Sequence, residues 1–201
     1  MDDEIEFTDT QIRIMETALE LISEYGYRGT TTRMIAERSD FNELTLFRNF
    51  ESKEMLLRKA LRYELNSERM HNEIPQRWSG DAETDLFDLC ILVRNNLRRR
   101  KHLIRIMLRE QSSNPVVEEN VSSVPLIWKE IIVKTISGII EGTARKGTDV
   151  EVASLLIASY ILRGEMMTAV LGFDPFDSNT DEKMKVAVGI FLHGIMEGGS
   201  G

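Results

Sequence analysis

The stretch from Thr30 to Leu57, TTTRMIAERSDFNELTLFRNFESKEMLL, limits what the chain can fold into more than any other segment. Its three opening threonines suit a helix N-terminus, where a side-chain hydroxyl can accept an orphan backbone N–H. A short helix is expected next, with Met34, Ile35 and Ala36 facing inward, followed by a polar turn around Ser39 and Asp40. The second short helix, roughly Asn42 to Phe50, carries Leu46 and Phe50 at i, i+4 for packing. Its other faces leave Asn42, Glu43, Thr45, Arg48 and Asn49 outside. Ser52 is placed to cap a longer helix from Lys53, with Glu54 in the favourable first turn. Two short helices joined by a tight turn, the second carrying hydrogen-bonding side chains, form a helix-turn-helix pattern and predict contact with DNA.

The remainder reads as helix throughout, without strand alternation or an Asn-Gly or Asp-Gly hairpin signal. Residues 8–25 form the expected first helix, capped by Thr8 or Asp9 and closed by Gly26 at the C′ position. The helix from Lys53 is expected to reach Arg69 or beyond and to end before Pro75 and the Trp78-Ser79-Gly80 turn. Further helices are expected over Asp81–Asn96, His102–Glu110 and from Pro125 to about Arg145. Asp149 is placed to cap a helix that is apolar nearly all round, so burial on more than one side is expected. A loop around Pro175 precedes a last helix carrying Val186, Ile190, Phe191 and Ile195. The predicted fold is all-α. Residues 1–52 form a three-helix helix-turn-helix domain, 53–75 a connecting helix and 76–197 a larger helical bundle, with 198–201 as a flexible tail.

Charge and composition narrow the function. The net charge of −8 argues against indiscriminate nucleic-acid binding. Residues 28–62 nevertheless hold eight Lys/Arg against five Asp/Glu, whereas residues 1–27 hold one Arg against eight Asp/Glu. Binding is therefore expected to rest on a few well-placed contacts in a specific dimer, with no basic arm entering a minor groove. The longest apolar run, Val152 to Leu162, stops at Arg163 and is shorter than a bilayer requires, so no membrane association is expected. The chain opens without a secretion leader, and its lone cysteine, Cys90, rules out an internal disulfide, which together fit a reduced cytoplasmic protein. His71, His102 and His193 lack metal-ligand spacing, and phosphate-loop, dinucleotide and serine-nucleophile motifs are missing. No enzyme activity, metal or cofactor is expected.

The N-terminal segment resembles the DNA-binding domain of TetR-family transcriptional regulators. Ala18, Gly26, Thr31-Thr32, Ile35-Ala36, Thr45-Leu46-Phe47, Phe50 and Lys53-Glu54 carry the resemblance without gaps, over about the first quarter of the chain. Three positions depart from the family pattern. Asp40 stands where a turn glycine is usual, Phe47 replaces the usual tyrosine, and Leu44 takes a place often held by Gly, Ala or Pro. The resemblance implies a homodimer held by the last two long helices, a near-palindromic double-stranded DNA operator, and most often repression relieved by an effector in the helical bundle. It assigns Thr32 and Lys53 to phosphates, and Arg33, Glu43, Thr45, Arg48 and Asn49 to the groove; Thr31, Asn42 and Phe47 complete the expected DNA-facing set. Arg suits guanine, Asn adenine, Glu cytosine and the Thr methyl thymine.

For a small apolar or amphipathic effector, the expected lining is Phe87, Cys90, Ile91, Met107, Trp128, Tyr160, Glu165 and Met166, with Met167 and Glu110 nearby in sequence. Glu165 or Glu110 would pair a cationic effector. Taken singly, each of these residues also fits plain core. The Arg98–Lys101 run reads first as a solvated helix end, then as a phosphate site, then as a partner for Glu16, Glu20 and Glu24. The alternative function is a DNA-binding interaction protein on the same scaffold that engages a protein partner and has no small-molecule effector.

Overall fold

A computed structural model describes residues 7–66, 72–75, 77–122, 124–141, 144–177 and 180–195. Their regular structure is helical: α1 (Asp9–Gly29), α2 (Thr32–Arg38), α3 (Glu43–Phe50), α4 (Lys53–Glu64), α5 (Ala82–Arg99), α6 (Lys101–Glu110), α7 (Pro115–Val121), α8 (Val124–Ile139), α9 (Val150–Leu171) and α10 (Asp181–Ile195). The chain divides into two compact units, one of residues 1–66 and 102–123 and the other of residues 67–101 and 124–201. The tail at 198–201 and the acidic residues before Phe7 lie outside the described residues, while the connecting helix, expected to reach Arg69 or beyond, ends at Glu64 with Leu65 as its C-cap.

In the first unit each short helix begins at the residue its local chemistry favours. Thr8 and Gln11 form a reciprocal capping box on α1. Thr31, Asn42 and Ser52 each turn a side-chain oxygen onto the backbone N–H three residues on, fixing the starts of α2, α3 and α4. Their inward stripes converge on one core in which Ile14, Leu19, Ile35, Leu46, Phe50 and Leu57 are fully buried. Gly26 interrupts α1 at φ 77° and ψ 163°, so the first helix bends where a closing glycine was expected. Asp40 holds the turn between α2 and α3 at φ 60°, and its carboxylate pairs with Arg13.

The same core corrects the expected domain boundary. Residues 102–123, placed by the sequence within the bundle of 76–197, belong to the first unit. Leu103, Ile106, Val116, Val117 and Val121 supply the apolar stripe that joins α6 and α7 to the first core. Arg58 of α4 also pairs with Glu119 of α7.

The second unit packs α5, α8, α9 and α10 around Leu86, Cys90, Ile136, Ile157, Met184 and Val188. Asp81 caps α5, while the buried Asp85 accepts from Ser79 and from the Gly80 backbone. Helix α5 ends at Arg99, within the basic run expected to mark its end, and Arg98, Arg99 and Arg100 are held by acids of their own unit. Arg98 reaches Glu165 at 2.9 Å, and Arg99 and Arg100 both reach Glu73. Helix α9 starts at its predicted cap, Asp149, and ends at Gly172, which has φ 84°. Its 22 residues are long and apolar enough, by length and composition alone, to cross a bilayer, which the run ending at Arg163 did not suggest. Ala153, Ile157 and Ile161 of this helix are buried in the bundle, and Glu165 is 3% exposed beside Arg98.

Candidate DNA-reading surface

Helix α3 is anchored from below by Leu46 and Phe50, both fully buried, and presents its opposite side outward. The polar residues expected there divide sharply by what they already hold. Asn42 accepts from the Thr45 backbone N–H at 2.8 Å and from the Thr45 hydroxyl at 3.0 Å. Asn49 donates its amide to the Thr45 carbonyl at 2.8 Å. Glu43 accepts from the Thr32 hydroxyl at 2.7 Å, tying the first turn of α2 to the first turn of α3. Thr31 accepts from Met34 N–H as a cap. Arg33 is exposed and paired with Glu37 one turn on, which raises its pKa. Arg48 is exposed, and no hydrogen bond or ion pair engages its guanidinium among the described residues. Phe47 is 44% exposed and Leu44, absent from the expected DNA-facing set, is 58% exposed.

Lys53 is placed differently from a simple phosphate contact. Its Nζ donates to the carbonyls of Tyr27 and Thr30, both at 2.8 Å, and lies 4.2 Å from the centre of the Tyr27 ring. Burial lowers the ammonium pKa, and the nearby Glu110 carboxylate opposes that shift. Glu110 accepts the Tyr27 backbone N–H at 3.0 Å. The joint between α1 and α2 is thus pinned from two sides, by α4 through Lys53 and by α6 through Glu110. Position 26 favours glycine because its φ is 77°, and an added Cβ would also crowd Glu110 Oε1 at 3.0 Å. The sequence offered Glu110 as a ligand partner; its three-residue separation from Met107 gave no hint of a contact with Tyr27, distant in the chain.

The expected effector residues do not all come together. Phe87, Cys90, Ile91, Trp128 and Tyr160 gather in or against the second core. Met166 is half-buried on α9, and Glu165 is occupied by Arg98. Met107 packs against the first core, so it lines nothing in the second unit. Burial pushes the Cys90 thiol up to about 12, leaving it a neutral packing group. Between α5, α8 and α9 the remaining cavity is about 10 Å³, lined by apolar residues that include Leu86, Val93, Ile132 and Ile161. A larger cleft, about 310 Å³, lies in the first unit beside the pinned joint, with Arg28, Arg109 and Asn114 on its walls.

A helix-turn-helix with this anchoring and exposure matches known proteins over the same residues. The sequence pattern of the bacterial regulatory proteins, tetR family, matches residues 14–60. An uncharacterised HTH-type transcriptional regulator of Bacillus subtilis, YvkB, is 31% identical over 188 residues, covering 92% of this chain and 97% of its own. The chain belongs to the TetR family of transcriptional regulators. It is therefore a DNA-binding regulator of a non-enzymatic family. Two solved structures share the fold. A transcriptional regulator of Saccharomonospora viridis in complex with choline is 24% identical, with TM-score 0.69, covering 93% of this chain and 97% of its own. FadR of Bacillus subtilis in complex with stearoyl-CoA is 20% identical, with TM-score 0.61, covering 94% and 99%.

Proposed function

We propose that this TetR-family chain is a cytoplasmic, homodimeric repressor that binds a near-palindromic operator and is released by a small apolar or amphipathic effector. One observation carries the dimer. Val152, Leu155 and Leu156 on α9, with Val186 and Ile190 on α10, are between 38% and 70% exposed in the single chain. Rows of exposed apolar residues at helical spacing on two helices suit an interaction site, and a self-complementary patch gives a two-fold dimer. Two α3 helices related by that axis would address half-sites about one DNA turn (roughly 34–36 Å) apart, or a multiple of it.

Support for the effector comes from the relatives, one holding choline and one stearoyl-CoA. A ligand pocket usually needs about 300–1,000 Å³, whereas the cavity between α5, α8 and α9 is about 10 Å³. On this reading an effector in the second core would part α5 from α8 and α9. Release follows if the effector favours the parted state, a coupling typically worth about 1–3 kcal/mol. The filled core is also the observation that favours the second reading, in which the chain binds DNA and a protein partner and takes no small molecule.

Selection of bound fragments from sheared genomic DNA at near-physiological salt tests the proposal, with Arg48→Ala as control. The expected result is enrichment of one palindromic site, weakened in the variant by the roughly 1–3 kcal/mol of a lost bidentate base contact. A folded dimer that enriches no site would overturn the repressor reading.

A further inference from the structure

We infer that Leu44 and Phe47 form an apolar reading ridge that selects thymine methyl groups in the operator's major groove. The inference rests on the DNA-binding reading of α3 and deepens it. Its starting point is what remains uncommitted on the outward face of that helix. Asn42 and Asn49 are spent on Thr45, and Glu43 is spent on Thr32. Leu44, Phe47 and Arg48 are all exposed, and they follow the i, i+3, i+4 spacing that places side chains on one helix face. Leu46 and Phe50 occupy the opposite, buried side.

The two exposed apolar side chains do not serve the core of their own unit. Leu44 keeps 58% and Phe47 keeps 44% of its surface open, on a helix only eight residues long. Phe47 has no phenolic oxygen with which to reach a phosphate, and Leu44 has no hydrogen-bonding group at all. Among the groups a base pair displays in the major groove, only the C5-methyl of thymine is apolar. Burying it against Leu44 and Phe47 gains contact without leaving a polar base edge unpaired. Arg48 on the same face supplies one polar contact, best matched by guanine O6 and N7. The half-site implied is one or two A·T pairs whose thymines face the ridge, next to a G·C pair facing Arg48.

Uracil scanning isolates this feature, because dT→dU removes one methyl and leaves the pairing and hydrogen-bonding groups intact. The operator from the fragment selection is titrated with the full-length wild-type protein, Leu44→Ala and Phe47→Ala, substituting each thymine in turn. Wild-type affinity is expected to fall about fourfold per ridge-facing methyl, the fold-change matching burial of one such group. Leu44→Ala or Phe47→Ala should bind the parent operator more weakly and lose the distinction between thymine and uracil. Neither should change the dependence of affinity on salt, which counts phosphate contacts. Unchanged thermal melting of the variants shows that their folds survive. Equal wild-type affinity for every uracil-substituted operator overturns the inference while leaving DNA binding intact. A thymine preference that persists undiminished in both variants overturns it as well. Failure to select any operator removes the inference together with the DNA-binding reading beneath it.

Discussion

Helix α3 and helix α10 are both amphipathic segments with a buried row and an exposed row, yet their sequences foretell the two rows unequally. In α3, Leu46 and Phe50 are fully buried, Asn42 and Arg48 are exposed, and Glu43, Thr45 and Asn49 are half-buried on the polar side. In α10, Val186 and Ile190 are apolar positions whose side the sequence leaves open, and they are 61% and 70% exposed in the single chain. Met184, Val188 and Leu192 take the buried row instead. The difference is that α3 is a short helix with one wet side, so polarity marks the outside. Helix α10 has apolar residues on two sides, and hydrophobicity cannot distinguish a side facing its own core from a side awaiting a partner.

The most severe way to break that comparison is to make the exposed row of the bundle polar. Leu156→Glu combined with Ile190→Glu should leave the single chain folded, because both residues are exposed in it. If the row is the dimer seam, each copy then offers one α3 in place of two. Operator affinity should fall by about 10²–10⁴, the gain that linking two sites confers. Sedimentation and operator titration check this together. A variant that stays dimeric with full affinity would place the seam elsewhere and leave the apolar row unexplained.

Much of the first unit was legible before any coordinates. The caps Thr31 and Ser52, the glycine at the end of the first helix and the left-handed Asp40 all sit where local chemistry asks for them. These features depend on neighbours within a few residues, which a sequence displays directly. The misreadings are long-range. Residues 102–123 join the first core through an apolar stripe that would suit either unit. Lys53 turns toward the α1–α2 joint because two carbonyls and a tyrosine ring wait there, and none of those contacts is local. Of the residues expected to line a pocket, only Cys90 borders the cavity of about 10 Å³ between α5, α8 and α9, and that packing is not visible in the sequence.

An intermediate effect should follow from crowding the pinned joint. Gly26→Ala imposes a side chain at φ 77° and sets its Cβ 3.0 Å from Glu110 Oε1 and 3.3 Å from the Arg109 guanidinium. A residue held in so sparsely populated a backbone region costs about 1–3 kcal/mol, and denaturant melting should show a loss of that order. The double variant Gly26→Ala with Glu110→Ala separates the contributions. Measured against Glu110→Ala alone, which already loses the Tyr27 N–H bond, Gly26→Ala should cost less than it does in the wild type, because the carboxylate clash is gone while the backbone strain stays. No cost at all in that background would mean that the backbone at position 26 is not constrained to positive φ, and the bend in α1 would lose its explanation.

The smallest expected effect sharpens the reading of local chemistry at a single turn. Asp40 occupies a left-handed conformation, φ 60°, at a position where the family usually has glycine. An L-residue there carries a steric cost that glycine escapes. Against this, Asp40→Gly surrenders the ion pair with Arg13, whose partners' side chains are 56% and 78% exposed. Exposed pairs are worth about 0–1 kcal/mol and are screened by salt, so relief of strain should win by less than about 1 kcal/mol. The gain should widen in high salt, where the surrendered pair is worth least, and Arg13→Ala alone should cost little in either condition. A variant less stable than wild type at high salt would show that Asp40 holds the turn by something other than its charge. The capping and turn logic that places α2 and α3 would then have missed a contact at the point where it is otherwise most secure.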